Sequence, residues 1–419
     1  MNKKLLHTPE GVRDIYNSEC EKKLFLQENL HKQFKLYGYK DIQTPAFEYF
    51  DIFSREIGTI PSKDLYKFFD REGNTLVLRP DFTPSIARCA AKYYMKEDMP
   101  LRLCYEGNAF INNSEYQGKL KESTQMGVEL IGDDTVDADA EMISLVIHSL
   151  LESGLTDFQV EIGQIDFFKG ILEEAGIEEE VEIELRELIS IKNYFGVEEL
   201  VSSLSMREEF KEVFFRLPKL FGSVDILKEA KSLTGNTCSM EAIERLENLY
   251  EVLKIYGLEK YVSFDLGMLS KYKYYTGIIF KAYTYGTGEA IVNGGRYNNL
   301  LNWFGKEAPS IGFVIMVDVL MSALMRQNIN ILTSNNNTMI LYKERQQKLA
   351  ITLAMHLRNH NKNVELVSMP FHKTLEECIE YGKRNQSAVI LYFENDNEIN
   401  LIDLVTGDRK TALTADWLG

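Results

Sequence analysis

A chain of 419 residues is too long for one compact core, and its composition of 45% hydrophobic, 11% aromatic and 26% charged residues is that of a soluble globular protein, so two or three domains are expected. The formal charge of −16 repels polyanions; a nucleic-acid binder draws most of its affinity from neutralising phosphates, and no basic stretch stands out to do so. No uncharged apolar run could span a bilayer, and Pro9 interrupts the N-terminal stretch before any signal-type apolar core, which places the protein in the cytoplasm and off the membrane.

Residues 8–16, T-P-E-G-V-R-D-I-Y, read as an extended arm because Pro9 and Gly11 interrupt them. A helix follows: Ser18 and Glu21 have capping-box spacing, Leu26, Leu30, Phe34 and Tyr37 form an apolar stripe, and Gly38 is placed to end it. Residues 39–48 read as a strand ended by Pro45, serving a dimer interface or an edge within the domain. Residues 68–78 read as a hairpin turning at Glu72-Gly73-Asn74. It delivers L-R-P-D-F-T-P-S-I-A-R at 78–88, where Pro80 and Pro84 bracket Asp81, Phe82 and Thr83, and Ser85 opens a helix. A carboxylate and a hydroxyl held there suit recognition of an amino group; helix capping by Thr83 or Ser85 is the competing explanation.

The centre of the chain is 105–132, Y-E-G-N-A-F-I-N-N-S-E-Y-Q-G-K-L-K-E-S-T-Q-M-G-V-E-L-I-G, read as strand, long loop, strand. Alternation turns Gln125 and Glu129 to one face of the returning limb. The stretch is either a solvated hairpin or a pocket with acceptors for a cationic ligand and no guanidinium for phosphate.

An amphipathic helix is expected over 135–154 and a strand over 158–162. From 166 to 257 the pattern is acidic and helical, an insertion without a catalytic motif. Strands return at 261–266 and 271–284, then E-A-I-V-N-G-G-R-Y-N-N-L at 289–300 and P-S-I-G-F-V-I-M-V-D-V-L at 309–320. Tyr274 and Tyr275 face opposite sides, so one can be core while the other lines a cleft, and Gly294-Gly295 permits a tight turn or close approach to a ligand. A polar linker leads to a small α/β domain with strands at 339–342, 364–367, 388–393 and 399–404. Cys20, Cys89, Cys104, Cys238 and Cys378 are scattered and never form C-x-x-C, and His356, His360 and His372 lack a ligand pattern, so no metal site is expected.

In order and spacing, Y-G-Y-K-D-I-Q-T-P-A-F-E, L-R-P-D-F-T-P-S-I-A-R, T-Q-M-G-V-E-L-I-G, K-Y-Y-T-G, G-G-R-Y-N-N-L and S-I-G-F resemble the class II histidyl-tRNA synthetase core, over about residues 5–325. The resemblance implies an α+β fold, a mostly antiparallel sheet flanked by helices, with a core domain at 1–327, a helical insertion at 166–257, a C-terminal α/β domain at 338–419, and a homodimer through the core. The departures bear on function. The F-R-x-E of the second motif reads Phe110-Ile111-Asn112-Asn113, the arginine opening R-G-L-D-Y-Y-T-G is Ser270, and the third motif has Met316 and Val319 where glycine and arginine usually stand. Each lost cation removes about 3 kcal/mol of transition-state stabilisation by analogy with single electrostatic donors, too much in sum for adenylate formation. Lys271 and Lys273 do not reproduce a planar guanidinium.

Carried over position by position, the amino-acid half of the site is retained. Asp81 and Thr83 would take a ligand's amino group, Gln125 its carboxylate side and Glu129 an imidazole, with Tyr274 closing over the ring and Tyr275 bonded to it. That combination is similar to the regulatory subunit family of ATP phosphoribosyltransferase, synthetase-like chains without catalysis or cofactor. The resemblance implies a hetero-octamer with a short catalytic subunit, required for its activity and for feedback inhibition by histidine in histidine biosynthesis. The alternative is a divergent histidyl-tRNA synthetase or another adenylate former. The acidic F-E-N-D-N-E at 393–398 argues against tRNA as a partner.

Overall fold

A computed structural model describes residues 6–53, 60–113, 119–269, 275–331 and 337–418. They form two compact units, one from the chain up to Ile331 and one from the chain beyond it together with Tyr16–Glu21.

Helix α1 (Asn17–Leu36), which belongs to the first unit from Lys22 onward, buries Leu26, Leu30 and Phe34 at four-residue spacing, one side of the helix. Gly38, at φ +82°, turns the chain out of it at little conformational cost. The single strand expected over 39–48 is two strands in two sheets. β1 (Lys40–Asp41) runs parallel to the edge of a large sheet, whereas β2 (Phe47–Tyr49) joins β3 (Lys67–Phe69) and β4 (Thr75–Leu78) in a three-stranded sheet. The break falls at Pro45, which has no N–H for a ladder. The buried Arg79 guanidinium donates to the Thr44 and Pro45 carbonyls at 2.9 and 3.3 Å and to the Asn108 carbonyl at 2.8 Å, so the crossing keeps its acceptors satisfied.

The large sheet is assembled from β5 (Leu101–Phe110), β6 (Glu122–Ile131), β7 (Gln159–Gln164), β8 (Phe221–Gly222), β9 (Val262–Asp265), β10 (Ile278–Tyr283), β11 (Val292–Arg296) and β12 (Ser310–Met316) in addition to β1. Its order is β1-β5-β6-β12-β11-β10-β7-β9-β8, and only β1–β5 and β7–β9 are parallel pairs. The helices of this unit after α1 are α2 (Thr83–Tyr93), α3 (Val136–Glu152), α4 (Ile165–Ala175), α5 (Glu179–Ser190), α6 (Tyr194–Ser203), α7 (Glu208–Arg216), α8 (Asp225–Ser232), α9 (Thr237–Ile255) and α10 (Val317–Arg326). The acidic stretch is thus helical except for β8, which closes one edge of the sheet by pairing with β9.

Strand alternation divides the sheet into two faces. Met126, Val128 and Leu130 of β6 with Phe313 and Ile315 of β12 point into the main apolar core, which also holds Leu26, Leu30 and Phe34 of α1 and Ile143, Val146 and Ile147 of α3. Gln125, Gly127 and Glu129 alternate with them and occupy the opposite face, where Phe82, Ile86, Tyr105, Tyr297 and Leu300 form a smaller cluster. Behind the sheet, buried Arg296 donates to Asp139 Oδ1 at 2.6 Å and to the Asp133 and Thr135 carbonyls at 2.9 and 3.1 Å, fixing the end of β11 to the start of α3.

The second unit contains β13 (Asn337–Tyr342), α11 (Gln347–Asn359), β14 (Asn363–Ser368), α12 (Leu375–Arg384), β15 (Val389–Phe393), β16 (Glu398–Asp403), β17 (Arg409–Leu413) and α13 (Thr414–Leu418), with sheet order β14-β13-β15-β16-β17. The parallel pairs β13–β14 and β13–β15 are joined through helices, as parallel crossovers require. Thr374 and Glu377 form a capping box at the start of α12. No described helix of the chain is long and apolar enough to cross a membrane.

Candidate functional site

The site grows out of β6. Opposite Glu129, in register on β12, stands Gly312, and opposite Gly312 on β11 stands Gly295. A Cβ on Gly312 would lie 1.8 Å from Glu129 Oε2, and one on Gly127 would lie 2.4 Å from the Tyr105 hydroxyl. The Glu129 carboxyl and the Tyr105 side chain occupy the space a Cβ would take, so only glycine fits beneath them. Beside them a cavity of about 180 Å³ brings together Asp81, Thr83, Gln125, Glu129 and Tyr275. The central stretch is therefore a pocket wall and not a solvated hairpin. Tyr274, the sixth predicted residue, lies outside the described residues, as do Ser270, Lys271 and Lys273.

Asp81 sits in the turn before α2, where its Oδ1 accepts from the Thr83 backbone N–H at 3.2 Å. Capping by Thr83 or Ser85 is not what these hydroxyls do. Helix α2 begins at Thr83, its N-cap position makes no side-chain capping bond, and the Thr83 hydroxyl donates to Glu129 Oε1 at 2.7 Å. Tyr297 donates its hydroxyl to Glu129 Oε2. Sequence reading missed Tyr297 and also Asn293, which lines the cavity from β11. A signal was present: Asn293 is two residues before Gly295 on an alternating strand, so it shares the glycine's open face.

Glu129 is 1% exposed. Burial pushes its carboxyl up to about 8, the neighbouring Asp81 charge adds to that, and the Tyr297 and Thr83 hydrogen bonds oppose it. Burial holds the Tyr297 and Tyr105 hydroxyls well above the ordinary tyrosine range, so both keep their protons. Gln125 is buried, and its Oε1 has no hydrogen-bond partner among the described residues. Such an acceptor costs roughly 1–3 kcal/mol until a donor meets it.

Apolar side chains complete the lining: Ile111, at the arginine position of the second motif, and Met316, at the glycine position of the third and opposite Gln125 in register. Among the described lining residues the charged types are Asp81 and Glu129, both acidic, and none is lysine or arginine. Arg79 is not among the lining residues: its Nε and Nη1 donate to backbone carbonyls and its guanidinium carbon lies 4.0 Å from the centre of the Phe82 ring. The arrangement can accept N–H groups from an amino-acid-sized ligand, and its described lining residues offer a triphosphate no compensating charge.

A family model described as histidyl-tRNA synthetase matches residues 11–320. The ATP phosphoribosyltransferase regulatory subunit of Acetivibrio thermocellus is 43% identical over 361 residues, 86% of each chain, and that of Ruminiclostridium cellulolyticum is 38% identical over 404 residues, 96% of each. A crystal structure from Bacillus halodurans, described as an ATP phosphoribosyltransferase regulatory subunit/histidyl-tRNA synthetase, superposes with a TM-score of 0.83 at 33% identity, covering 93% of this chain and 98% of that one. Histidyl-tRNA synthetase from Nostoc sp. PCC 7120 gives the same TM-score at 19% identity, which shows the shared class II synthetase-like α+β fold. Similar to synthetases in fold and to the regulatory subunits in sequence over most of its length, the chain belongs to the ATP phosphoribosyltransferase regulatory subunits, the non-catalytic, histidyl-tRNA-synthetase-like family of histidine biosynthesis.

Proposed function

We propose that the cavity is a histidine site through which this chain governs a short catalytic ATP phosphoribosyltransferase subunit, activating it by assembly and inhibiting it when histidine accumulates. The carrying observation is the contrast within one cavity: buried Glu129 and the unsatisfied Gln125 Oε1 offer acceptors, whereas Ile111 and Met316, the latter beside Gln125 in register, stand where a synthetase has arginine and glycine. Asp81 takes the α-ammonium, with the Thr83 oxygen as second acceptor, and Glu129 takes an imidazole N–H. Gln125 spans amine and carboxylate, accepting through Oε1 and donating through its amide nitrogen. Tyr275 hydrogen-bonds to the ring and Tyr274 closes over it. An analogue lacking the ring nitrogens would leave Glu129 unpaired, which is the basis of selectivity.

In this reading the synthetase-like core, 1–327 with its insertion at 166–257, forms the homodimer, the C-terminal domain is 338–419, and the assembly with catalytic subunits is a hetero-octamer in the cytoplasm. No tRNA and no nucleotide chemistry are involved. Histidine shifts the assembly because it binds one arrangement more tightly than another, and the catalytic subunit feels the same coupling in return.

The test is reconstitution with the catalytic subunit from the same host. We expect phosphoribosyl transfer to need this chain and to fall on adding histidine, with Asp81→Asn abolishing the inhibition and preserving activation. Equal activity without the chain would refute the assignment.

A further inference from the structure

Away from the cavity, three side chains of metal-binding type converge at the β1 edge of the large sheet. His31 comes from α1, Asp41 from β1 and Cys104 from β5, which pairs with β1. Asp41 Oδ1 is their common point: His31 Nε2 lies 2.5 Å from it and Cys104 Sγ 3.4 Å. All three potential ligand atoms lie within 4.8 Å of one another. The second carboxylate oxygen, Oδ2, is held by Lys35 at 3.0 Å, one helical turn after His31, which orients Oδ1 toward the other two groups.

We infer that His31, Asp41 and Cys104 form a binding site for a divalent transition-metal ion of the zinc class, fastening α1 to the edge of the sheet. The donor set carries the choice of metal. Imidazole, carboxylate and thiolate together suit Zn²⁺ and its neighbours, whereas Ca²⁺ and Mg²⁺ take shells of oxygen ligands. With ligand bonds of about 2.0–2.3 Å, ligand atoms around a tetrahedral ion stand roughly 3.3–3.6 Å apart. The Cys104–Asp41 separation of 3.4 Å already fits. The His31–Asp41 pair is closer than this, and it can open because both side chains are substantially exposed, 41% and 58%.

Exposure also leaves a fourth coordination position to water. Cys104, by contrast, is buried at 1% exposure on a rigid strand and forms the fixed wall of the site. On binding, the thiol proton and the proton shared by His31 Nε2 and Asp41 Oδ1 leave to solvent as the metal–ligand bonds form, and the two anionic ligands balance the ion's charge while Lys35 keeps Oδ2. The spacing of cysteines along the chain gave no hint of this, because the ligands are separated by 10 and 63 residues and meet only through the β1–β5 pairing.

The experiment uses the full chain, stripped of metal and kept reduced, titrated with Co²⁺ as a spectroscopic probe and then with Zn²⁺ as competitor. We expect one ion per chain, a sulfur-to-cobalt charge-transfer band in the near ultraviolet, and its displacement by one equivalent of Zn²⁺. Cys104→Ser should abolish the band. His31→Gln, at an exposed position that folding tolerates, should weaken Co²⁺ binding by about 10- to 100-fold, at least as much as outer-shell changes at metal sites. Absence of the band in the unaltered chain, or unchanged affinity in His31→Gln, would overturn the inference, the latter by showing that the ion sits on another cysteine.

Discussion

Glu129→Gln is expected to weaken histidine binding by about a hundredfold, the loss of one charge-assisted hydrogen bond worth roughly 2–3 kcal/mol. The pH dependence is more specific. In the empty cavity Glu129 keeps its proton up to about pH 8, whereas a free imidazole has a pKa of about 6.5. Between these values a neutral acid meets a neutral ring, and the proton passes from Glu129 to the imidazole without exchange with solvent. Below the window histidine must shed a proton to bind; above it the pair must take one up. Histidine affinity should therefore be flat from about pH 6.5 to 8 and fall by up to about tenfold per pH unit on either side. Calorimetric titration across pH 5.5–9 checks this, and affinity rising steadily through pH 8 and beyond would rule out proton sharing by Glu129.

The same group affects folding, with a definite sign. Its native pKa of about 8 lies above the ordinary 4.5. As pH rises past 4.5 the unfolded chain releases the proton that the native chain retains, so native stability falls through this interval and levels off above 8. The slope contributed is at most about 1.4 kcal/mol per pH unit. In Glu129→Gln this contribution is absent, and the variant should lose less stability than the parent between pH 5 and 8 in urea denaturation. Parallel curves would contradict the buried, protonated carboxyl.

Arg296→Met should destabilise the core domain by about 3–5 kcal/mol, the usual range for removing one partner of a buried ion pair. Arg296 is 1% exposed and Asp139 fully buried. After the change Asp139 Oδ2 still accepts from Arg245 Nε at 2.8 Å and the Thr135 carbonyl from Arg245 Nη2 at 3.4 Å, but Oδ1 and the Asp133 carbonyl lose the Arg296 donor. Because Arg296 immediately precedes Tyr297, whose hydroxyl meets Glu129, histidine affinity should fall too, even where the variant is fully folded. Urea unfolding measures the first effect and calorimetry in native buffer the second. A loss below about 1 kcal/mol would show that the arginine network is dispensable.

Much of the cavity was legible in the sequence because a strand's two-residue period is simple to extend: Gln125 and Glu129 had to share a face, and the cavity is on that face. Asp81 was legible because two prolines leave its loop little freedom. Tyr297 was not, since it follows the end of β11, where alternation no longer says which way a side chain turns. The Arg296–Asp139 pair spans 157 residues and depends on α3 packing behind the sheet, which no local pattern encodes. Among the strands, β17 reads R-K-T-A-L, exposed and polar at a sheet edge, and becomes a strand only by pairing with β16. The two residues of β8 are likewise recruited by β9 from a segment whose charge pattern is helical. Pro45 was read as ending a strand, but β1 already ends at Asp41 and the residues after Pro45 belong to another sheet.

A binding chain and an adenylate-forming enzyme of this fold differ in whether ATP reacts when histidine is present. The decisive measurement is histidine-dependent exchange of labelled pyrophosphate into ATP by the purified full chain, with calorimetry on the same sample to confirm that histidine saturates it. Saturation by histidine with no exchange above the protein-free background is the expected result. Exchange that requires histidine and is lost in Glu129→Gln would mean that the cavity holds a working nucleotide seat, and the regulatory reading of this site would have to be withdrawn.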